Sequence, residues 1–287
     1  MGRVRGIFVL VVLLGVGLTL LVMLFEERLI YFPYRELDMT PDQLGLRCDD
    51  LSLTAEDGVR LHGWFFPYED SKFTVLVFHG NAGNISHRLD RVLLMQSKIH
   101  TSVLLFDYRG YGKSEGRPDE QGTYRDGRAA YRYLTRDLGI QDDRVVLFGE
   151  SLGAAVAVQL ALERAGRALV LESAFTSLPD VGRVHYPFLP VAKLVRTRYD
   201  NLEKIPCIGM PVLILHGQRD RTVPVEHGRR LYEAAKEPKR FFPIEGAGHN
   251  DTFFVGGDPY WKAWREFLES VGGDQHPHGR DVRRIGD

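Results

Sequence analysis

A serine between two glycines, in the pentapeptide GESLG at residues 149–153, is the first candidate for chemistry in this sequence. The apolar run Val145–Phe148 precedes it, and a run rich in alanine and valine, residues 154–161, follows it. A G-x-S-x-G pattern between a strand and a helix places a serine hydroxyl on a sharp, strained turn at the edge of a sheet. The flanking glycines let the strand and the helix pass close together. Ser151 is therefore the predicted nucleophile.

A serine hydroxyl is a poor nucleophile at neutral pH and needs a neighbouring base that a third group orients. His249 follows the last predicted strand and lies between small residues, so it is the predicted base. Asp220 follows the strand that ends at Leu215. The order Ser151, Asp220, His249 is one in which serine triads occur. Glu172 remains the rival acid, although the short H-G-x-x-D turn favours Asp220.

Acyl transfer also requires hydrogen-bond donors aimed at the developing oxyanion. The backbone N–H of Leu152 lies at a predicted helix N-terminus, directly after the nucleophile. The loop after the strand Thr74–Phe78 should supply the second donor. Asn81 is the preferred residue there and Ala82 the alternative, because small neighbours let this backbone approach a substrate. A phosphate-binding loop is disfavoured because no G-x-x-x-x-G-K-[ST] pattern follows.

Other polar residues that follow predicted strands are interpreted as structural. His79 and His216 each precede a glycine and are expected to shape their loops. Asp251 is expected to cap the final helix. A further set is expected to hold its glycine-rich loop by side-chain hydrogen bonds to the backbone: Asp107, Arg109 and Ser114.

Predicted strands and helices alternate along the chain, which indicates an α/β fold with a mostly parallel sheet and helices on both faces. A hairpin around Asp57-Gly58 precedes them. The strands of this sheet are predicted at Thr74–Phe78, Ser102–Phe106, Val145–Phe148, Ala168–Leu171, Val212–Leu215 and Lys239–Ile244. The helices are predicted at Ser86–Gln96, Asp119–Leu138, 154–161, Pro224–Ala235 and Tyr260–Leu268. Ligands bind such sheets beyond the carboxyl ends of the strands, where all the candidate residues lie.

Composition and length predict one large domain, residues 29–271, with a short lid-like insertion at residues 174–205. The chain has 287 residues and a net charge of −1, which gives no electrostatic case for a nucleic-acid partner. Cys48 and Cys207 fit neither a disulfide framework nor a metal site, and two buried free thiols are expected, with pairing in an oxidising compartment as the alternative. No metal or organic cofactor is expected, and His276 and His278 are interpreted as parts of a disordered polar tail, residues 272–287.

The N-terminal segment, residues 1–28, is expected to be a membrane anchor. Ile7 to Phe25 carry no charge, and a spanning helix needs about 20 apolar residues. A cleaved signal peptide is disfavoured because no A-x-A pattern precedes Glu26. Basic residues before the span predict a cytoplasmic N-terminus and an extracytoplasmic domain. The aromatic residues at 31, 32 and 34 fit a membrane interface or a strand packed on the domain, and these two interpretations are compatible.

Five motifs together resemble the serine hydrolases of the α/β-hydrolase superfamily, over about Leu51 to Val271. They are HGNAGN (79–84), DYRGYGKSEG (107–116), GESLG (149–153), HGQRD (216–220) and GAGHND (246–251). The closest resemblance is to the Bem46-like and ABHD17-like branch, which is often membrane-tethered. It implies esterase or acyl-thioesterase chemistry with the triad on Ser151, Asp220 and His249.

One feature departs from that branch. Its eukaryotic members that act on palmitoylated proteins have cysteine-rich N-termini, whereas this chain has an apolar span, so their substrate class is not carried over. The sequence therefore predicts a membrane-anchored serine hydrolase with a small-molecule or lipid-like acyl substrate. The alternatives are a serine peptidase or amidase, and a non-catalytic, membrane-tethered binding protein on the same scaffold.

Overall fold

The computed structural model of the chain describes residues 26–187 and 194–271, together with Gly6 and Gly17. An eight-stranded sheet has the order β10-β9-β8-β7-β4-β6-β3-β2. β2 and β3 form an antiparallel hairpin, β3 is antiparallel to β6, and the remaining pairs are parallel. The strands are β2 (Asp49–Thr54), β3 (Arg60–Phe66), β4 (Thr74–Phe78), β6 (Ser102–Phe106), β7 (Val145–Glu150), β8 (Ala168–Glu172), β9 (Val212–Gly217) and β10 (Lys239–Ile244).

A second, two-stranded sheet lies beyond the carboxyl end of β4. It pairs β1 (Phe32–Pro33) with β5 (Ala82–Gly83) in parallel. The first strand comes from the segment before the main sheet, and the second belongs to the loop that carries Asn81. The small sheet therefore joins the N-terminal part of the described chain to one of the predicted site loops.

Helices cover both faces of the main sheet. α1 (Leu89–Ile99) and α7 (Thr252–Ser270) pack on one face, while α2 (Glu120–Arg132), α3 (Leu152–Glu163) and α6 (Val225–Ala234) pack on the other. The shorter helices α4 (Leu178–His185) and α5 (Asn201–Lys204) belong to the region of the insertion. This is the layered α/β arrangement that the sequence predicts.

The central strands are continuously apolar because both of their faces are buried. Along β4, Val75 and Val77 contribute to one hydrophobic cluster, while Leu76 and Phe78 contribute to the opposite one. Successive side chains of a strand point to opposite faces, so such a run fills both helix–sheet interfaces. The predicted bounds of β4 and β6 agree with the structure for this reason, and those of the edge strand β10 agree although most of its side chains are only half-buried.

All five predicted helix starts differ from the structure: α2 begins one residue after the predicted Asp119, and α3 begins at Leu152, two residues before the predicted start. The first helix is preceded by a 3₁₀ turn, Ile85–Arg88, and becomes α-helical only at Leu89. Pro224 is the N-cap of α6 rather than a residue of its first turn. The final helix begins at Thr252 rather than Tyr260, and a kink at Gly257, with φ 49° and ψ −139°, lies inside it. The two glycines and the proline before Tyr260 hid this first part of the helix from the sequence pattern.

Several predictions fall on residues that the structure does not describe. The expected anchor, Ile7–Phe25, is outside the described residues except for Gly17, as are the predicted disordered tail, residues 272–287, and residues 188–193 of the insertion. Within the described ranges, 26–187 and 194–271, no helix has the length and apolar character needed to cross a bilayer.

The two cysteines are free, and the expectation that both are buried is wrong. Cys48 is half-buried just before the edge strand β2, and Cys207 is exposed at the end of a 3₁₀ turn. In that turn Ile205 takes the buried position, so the cysteine two residues later faces solvent. The described part of the chain contains no cluster of metal-ligating side chains.

Candidate active site

Ser151 occupies the sharp turn between β7 and α3. Its φ of 53° and ψ of −113° lie in a region that L-residues rarely adopt. The Ser151 N–H donates to the Glu172 carbonyl at 2.9 Å, which fixes the turn to the neighbouring strand β8. The hydroxyl is thereby held at the carboxyl edge of the sheet, as predicted for a nucleophile.

The glycines of the motif are required by direct backbone contacts. A Cβ at position 149 would lie 2.5 Å from Cα of Ala154, and one at position 153 would lie 2.0 Å from the Phe78 carbonyl oxygen. Backbone atoms cannot move aside as a flexible side chain can, so either substitution would force β7, α3 and β4 apart. The pattern G-x-S-x-G therefore follows from the packing of three elements.

The structure brings the three predicted triad residues into one hydrogen-bonded chain. Oγ of Ser151 lies 3.0 Å from Nε2 of His249, and Nδ1 of the same imidazole lies 2.7 Å from Oδ2 of Asp220. Ser151, Asp220 and His249 follow β7, β9 and β10, whose carboxyl ends lie on the same edge of the sheet. The arrangement can pass a proton from the hydroxyl to the imidazole.

Asp220 is buried and ionised. Burial raises its pKa, but contacts with His216 and His249 lower it more, so the pKa lies well below its ordinary value. The N–H groups of Thr222 and Val223 also donate to Oδ1, at 2.9 and 2.8 Å. A carboxylate held in this way accepts the Nδ1–H of His249 and leaves Nε2 unprotonated toward the serine.

Glu172, the rival acid, is committed elsewhere. Its carboxylate accepts hydrogen bonds from Arg91, at 2.7 and 3.2 Å, and from the Tyr260 hydroxyl. All three side chains are buried beneath the turn. The acid in contact with His249 is therefore Asp220, as the short H-G-x-x-D turn favours.

His79 has the loop-shaping position expected of it. Its Nδ1 bonds the Gly80 carbonyl at 2.7 Å, and its ring packs on Tyr108 with 4.5 Å between the centroids. Burial lowers the pKa of His79 to about 4, so the ring is neutral near pH 7.

His216 shapes its loop and also touches the triad acid. Its Nε2 donates to the Val223 carbonyl at 2.8 Å and lies 3.4 Å from Oδ2 of Asp220. Sequence reasoning did not identify this second contact. The spacing of four residues between His216 and Asp220 is the signal that could have found it.

Of the three side chains expected to hold the glycine-rich loop at residues 107–116, only Ser114 bonds its backbone, whereas Asp107 accepts the N–H of Ile85, outside this loop, at 3.0 Å. Oγ of Ser114 donates to the Asp107 carbonyl at 2.8 Å. Arg109 differs, because its guanidinium forms ion pairs with Asp57 and Asp126, both at 2.8 Å, instead of binding backbone carbonyls. These partners lie far away in the sequence, so no local pattern predicts them.

Asp251 has the predicted position but a different bond. It is the N-cap residue of α7, yet its side chain makes no capping hydrogen bond to the helix. Oδ1 instead accepts the Gly248 N–H at 2.6 Å. Asp251 thus closes the loop that carries His249.

Of the expected oxyanion donors, Leu152 directly follows Ser151, and Asn81 lies in the loop after β4, the strand next to β7. Leu152 is the first residue of α3, where a backbone N–H has no partner within the helix. The side chain of Asn81 is fixed at both ends: Nδ2 donates to the Ile30 carbonyl, and Oδ1 accepts from the Tyr111 hydroxyl at 3.0 Å. These two bonds fix the orientation of the Asn81 backbone.

The segment before the main sheet, residues 31–34, supports the loop of Asn81. Phe32 pairs with Ala82, and the Tyr34 N–H donates to the Gly83 carbonyl at 3.2 Å. Tyr31 is buried, and its hydroxyl lies 2.9 Å from that of Tyr199 in the insertion. Of the two compatible interpretations of these aromatic residues, the structure shows the packed strand.

The substitution Asn81→Ala is expected to lower kcat by about 10-fold to 100-fold with little change in KM, less than the 10²–10³ of a lost oxyanion donor. It retains the backbone N–H and removes both side-chain bonds. Steady-state ester hydrolysis measures the effect, and Tyr111→Phe, which removes one of the two bonds, should give a smaller loss. A rise in KM as large as the fall in kcat would contradict a positioning role.

An open cleft of about 390 Å³ lies beside the triad. Its wall includes the immediate neighbours of Asn81, Ser151 and His249, and also Arg88 and Phe253. Burial raises the pKa of Glu150, but Arg88 and Arg91 lower it more, so the pKa lies below its ordinary value. This wall therefore holds an ionised carboxylate whose charge is balanced by two arginine side chains. Sequence reasoning did not single out these charged residues, which come from separate elements.

Comparison with known proteins gives three informative relatives. An uncharacterized protein of Mycobacterium tuberculosis is 42% identical over 93% of this chain and 95% of its own length. The alpha/beta hydrolase domain-containing protein WAV2 of Arabidopsis thaliana is 39% identical over 88% and 90%. An uncharacterized membrane protein of Saccharomyces cerevisiae is 33% identical over 86% and 90%.

A solved structure and a family model indicate the same fold as the name of the plant relative. The structure of an esterase from Pyrococcus furiosus superposes with a TM-score of 0.72 and 26% identity, covering 85% of this chain and 99% of the esterase. A family model described as alpha/beta hydrolase fold matches residues 74–190. The match to the plant relative extends over most of both chains, and the sheet order and the turn at Ser151 agree with it. These findings show that the chain belongs to the α/β-hydrolase family.

Proposed function

We propose that this protein is a serine hydrolase that cleaves carboxylic esters or thioesters through an acyl-enzyme intermediate. The observation that carries the proposal is the hydrogen-bonded chain from Ser151 through His249 to Asp220 on the strained turn. The likeness to a solved esterase supports an ester-like substrate.

The first half of the reaction forms the acyl-enzyme. Nε2 of His249 takes the hydroxyl proton of Ser151 while Oγ forms a bond to the substrate carbonyl carbon. The carbonyl oxygen becomes an oxyanion, which the N–H groups of Leu152 and Asn81 stabilise. The carbonyl double bond then re-forms as the carbon–oxygen or carbon–sulfur bond breaks, and the imidazolium, stabilised by Asp220, donates its proton to the leaving oxygen or sulfur, which departs as an alcohol or a thiol.

The second half releases the acid. His249 takes a proton from a water molecule, and the resulting hydroxide attacks the acyl carbon. When the second tetrahedral intermediate collapses, the proton returns to Oγ and Ser151 is free again. In this cycle the insertion, residues 174–205, limits substrate size: His185 on α4 bonds the Thr222 carbonyl at 2.8 Å, next to the loop of Asp220.

Anchoring of the enzyme by Ile7–Phe25, with the domain on the extracytoplasmic side, is part of the proposal. It is supported by the uncharged run, by the basic residues before it and by the relative named as a membrane protein. Full release of the protein into alkaline carbonate without detergent would contradict the anchor.

A panel of p-nitrophenyl esters, acyl thioesters and p-nitroanilides tests the reaction class on the full-length protein. We expect turnover of esters and thioesters, together with labelling by a fluorophosphonate probe, which reacts only with an activated serine. Preferential turnover of anilides would indicate the peptidase alternative. The absence of both labelling and turnover would indicate a binding protein.

A further inference from the structure

Large apolar side chains are exposed around the carboxyl edge of the sheet, where Ser151 lies. We call six of them the apolar rim: Leu29, Phe32, Val184, Tyr186, Phe254 and Val255. The most exposed are Tyr186, at 61%, and Phe254, at 62%. Exposed large apolar side chains grouped around the opening of a site are a sign of an interaction surface.

Contacts of the rim residues place them on different sides of the triad. Phe32 pairs with Ala82, next to Asn81. Tyr186 directly follows His185, which bonds the loop of Asp220. Val255 lies in the first turn of α7, just after the loop of His249. The apolar rim therefore borders the opening of the site from three loops.

The opposite edge of the sheet provides a contrast. Leu138 and Leu162 are exposed there, at the ends of the helices that lead back to β7 and β8. They come from separate connections, and neither lies near a site loop. Leu162, 41% exposed, is therefore a matched control for a rim residue.

The chain itself indicates what the apolar rim meets. The uncharged run ends at Phe25, and the next residue, Glu26, is bound to the insertion: its Oε1 accepts the N–H groups of Arg196 and Thr197 at 2.9 and 2.7 Å. The chain that follows the uncharged run is thus held on the same side as the rim, with Leu29 three residues after Glu26.

We propose that the apolar rim docks on the lipid bilayer and that the enzyme takes its substrate, a bilayer-resident acyl ester or thioester, directly from the lipid. Apolar and aromatic side chains at a membrane surface gain free energy by entering the headgroup boundary. A long acyl chain would then reach Ser151 without crossing water. The substrate class rests on the proposed function, whereas the docking does not.

Docking is tested with the full-length protein in phosphatidylcholine vesicles. Tyr186→Trp and Leu162→Trp each add one indole to a protein whose own tryptophans, Trp64, Trp261 and Trp264, are buried. With brominated phosphatidylcholine, and after subtraction of the wild-type signal, strong quenching is expected at position 186 and little at 162. Equal quenching, or none at 186, would overturn the docking and leave a protein partner for the rim.

The substrate route is tested with two esters. Val255→Asp places a charge on the apolar rim at a helix N-terminus, where a carboxylate is tolerated. We expect it to lower hydrolysis of p-nitrophenyl palmitate carried in the vesicles by roughly 10-fold, and of water-soluble p-nitrophenyl acetate by less than about 2-fold. The control Leu162→Asp should change neither rate by more than that.

Equal changes in both rates for Val255→Asp, or no change in either, would overturn the route from the bilayer. Failure of the wild-type protein to hydrolyse either ester would instead contradict the proposed function, and the quenching experiment would still decide the docking. The two ideas are therefore tested separately.

Discussion

Replacement of Ser151 by alanine is expected to lower ester hydrolysis by about four to six orders of magnitude and to abolish labelling by a fluorophosphonate. The substitution removes the one oxygen atom that lies 3.0 Å from the imidazole. Alanine has the same Cβ at the same φ of 53°, so the backbone strain, and with it the fold, should change little. The kcat/KM for p-nitrophenyl esters and the thermal unfolding midpoint measure the two effects.

Ser173→Ala is the matched control. Ser173 is a second serine with a positive φ, 48°, and it follows the neighbouring strand β8. Its hydroxyl donates to the His249 carbonyl at 3.3 Å and not to the imidazole. This variant should still be labelled. Hydrolysis by Ser151→Ala at the wild-type rate, or loss of labelling only in Ser173→Ala, would refute the assignment of the nucleophile.

Asp220→Asn is expected to lower kcat by about 10³-fold to 10⁴-fold with a small effect on KM. The amide is isosteric, and its oxygen can keep the N–H groups of Thr222 and Val223. Its NH₂ group would then face Nδ1 of His249 and favour the tautomer that presents Nε2–H to Ser151, which cannot take the serine proton. Steady-state kinetics on the purified full-length variant measure the loss.

Glu172→Gln provides the comparison, because it changes another buried carboxylate at the same sheet edge. It weakens the pairing with Arg91, so it should cost stability while folded protein keeps most of its kcat. If Glu172→Gln reduced kcat more than Asp220→Asn, the rival acid would be restored.

The lowered pKa of Asp220 also fixes the sign of a pH effect. The pKa of this carboxyl is lower in the folded protein than in the unfolded chain. The group therefore contributes stability at pH values above its unfolded pKa of about 3.9. That contribution is lost as the pH falls through the acidic range below this value. In Asp220→Asn the unfolding free energy should therefore depend less steeply on pH there.

The parts of the fold that the sequence predicts well are those whose residues interact locally or alternate between two buried faces. β4, Thr74–Phe78, is one of these, and the close approach of Gly149 and Gly153 to neighbouring backbone is another. The triad residues could be proposed because each follows a strand by only a few positions. The carboxyl ends of these strands lie on the same edge of the sheet, and hydrogen bonds within the loops then hold Asp220 and His249 in contact.

The parts that were missed depend on partners distant in sequence or on backbone atoms. Nothing in the sequence marks the Ile30 carbonyl as the acceptor for Asn81, since every residue has a carbonyl. Arg109 could not be matched to Asp57 and Asp126 before the fold was known. The early start of α7 was hidden because Gly257 places a kink within a helix, where the pattern suggests a break.

The segment that joins the proposed anchor to the hydrolase domain is structural rather than a passive tether. A shortened protein that begins at Leu51, where the family resemblance starts, would lose the strand paired with Ala82 and the tyrosine bonded to Tyr199. Such a protein would also lose Asp49 and Asp50 from the edge strand β2, and we expect the loop of Asn81 to loosen. A water-soluble version intended for inhibitor screening should therefore start no later than Glu26.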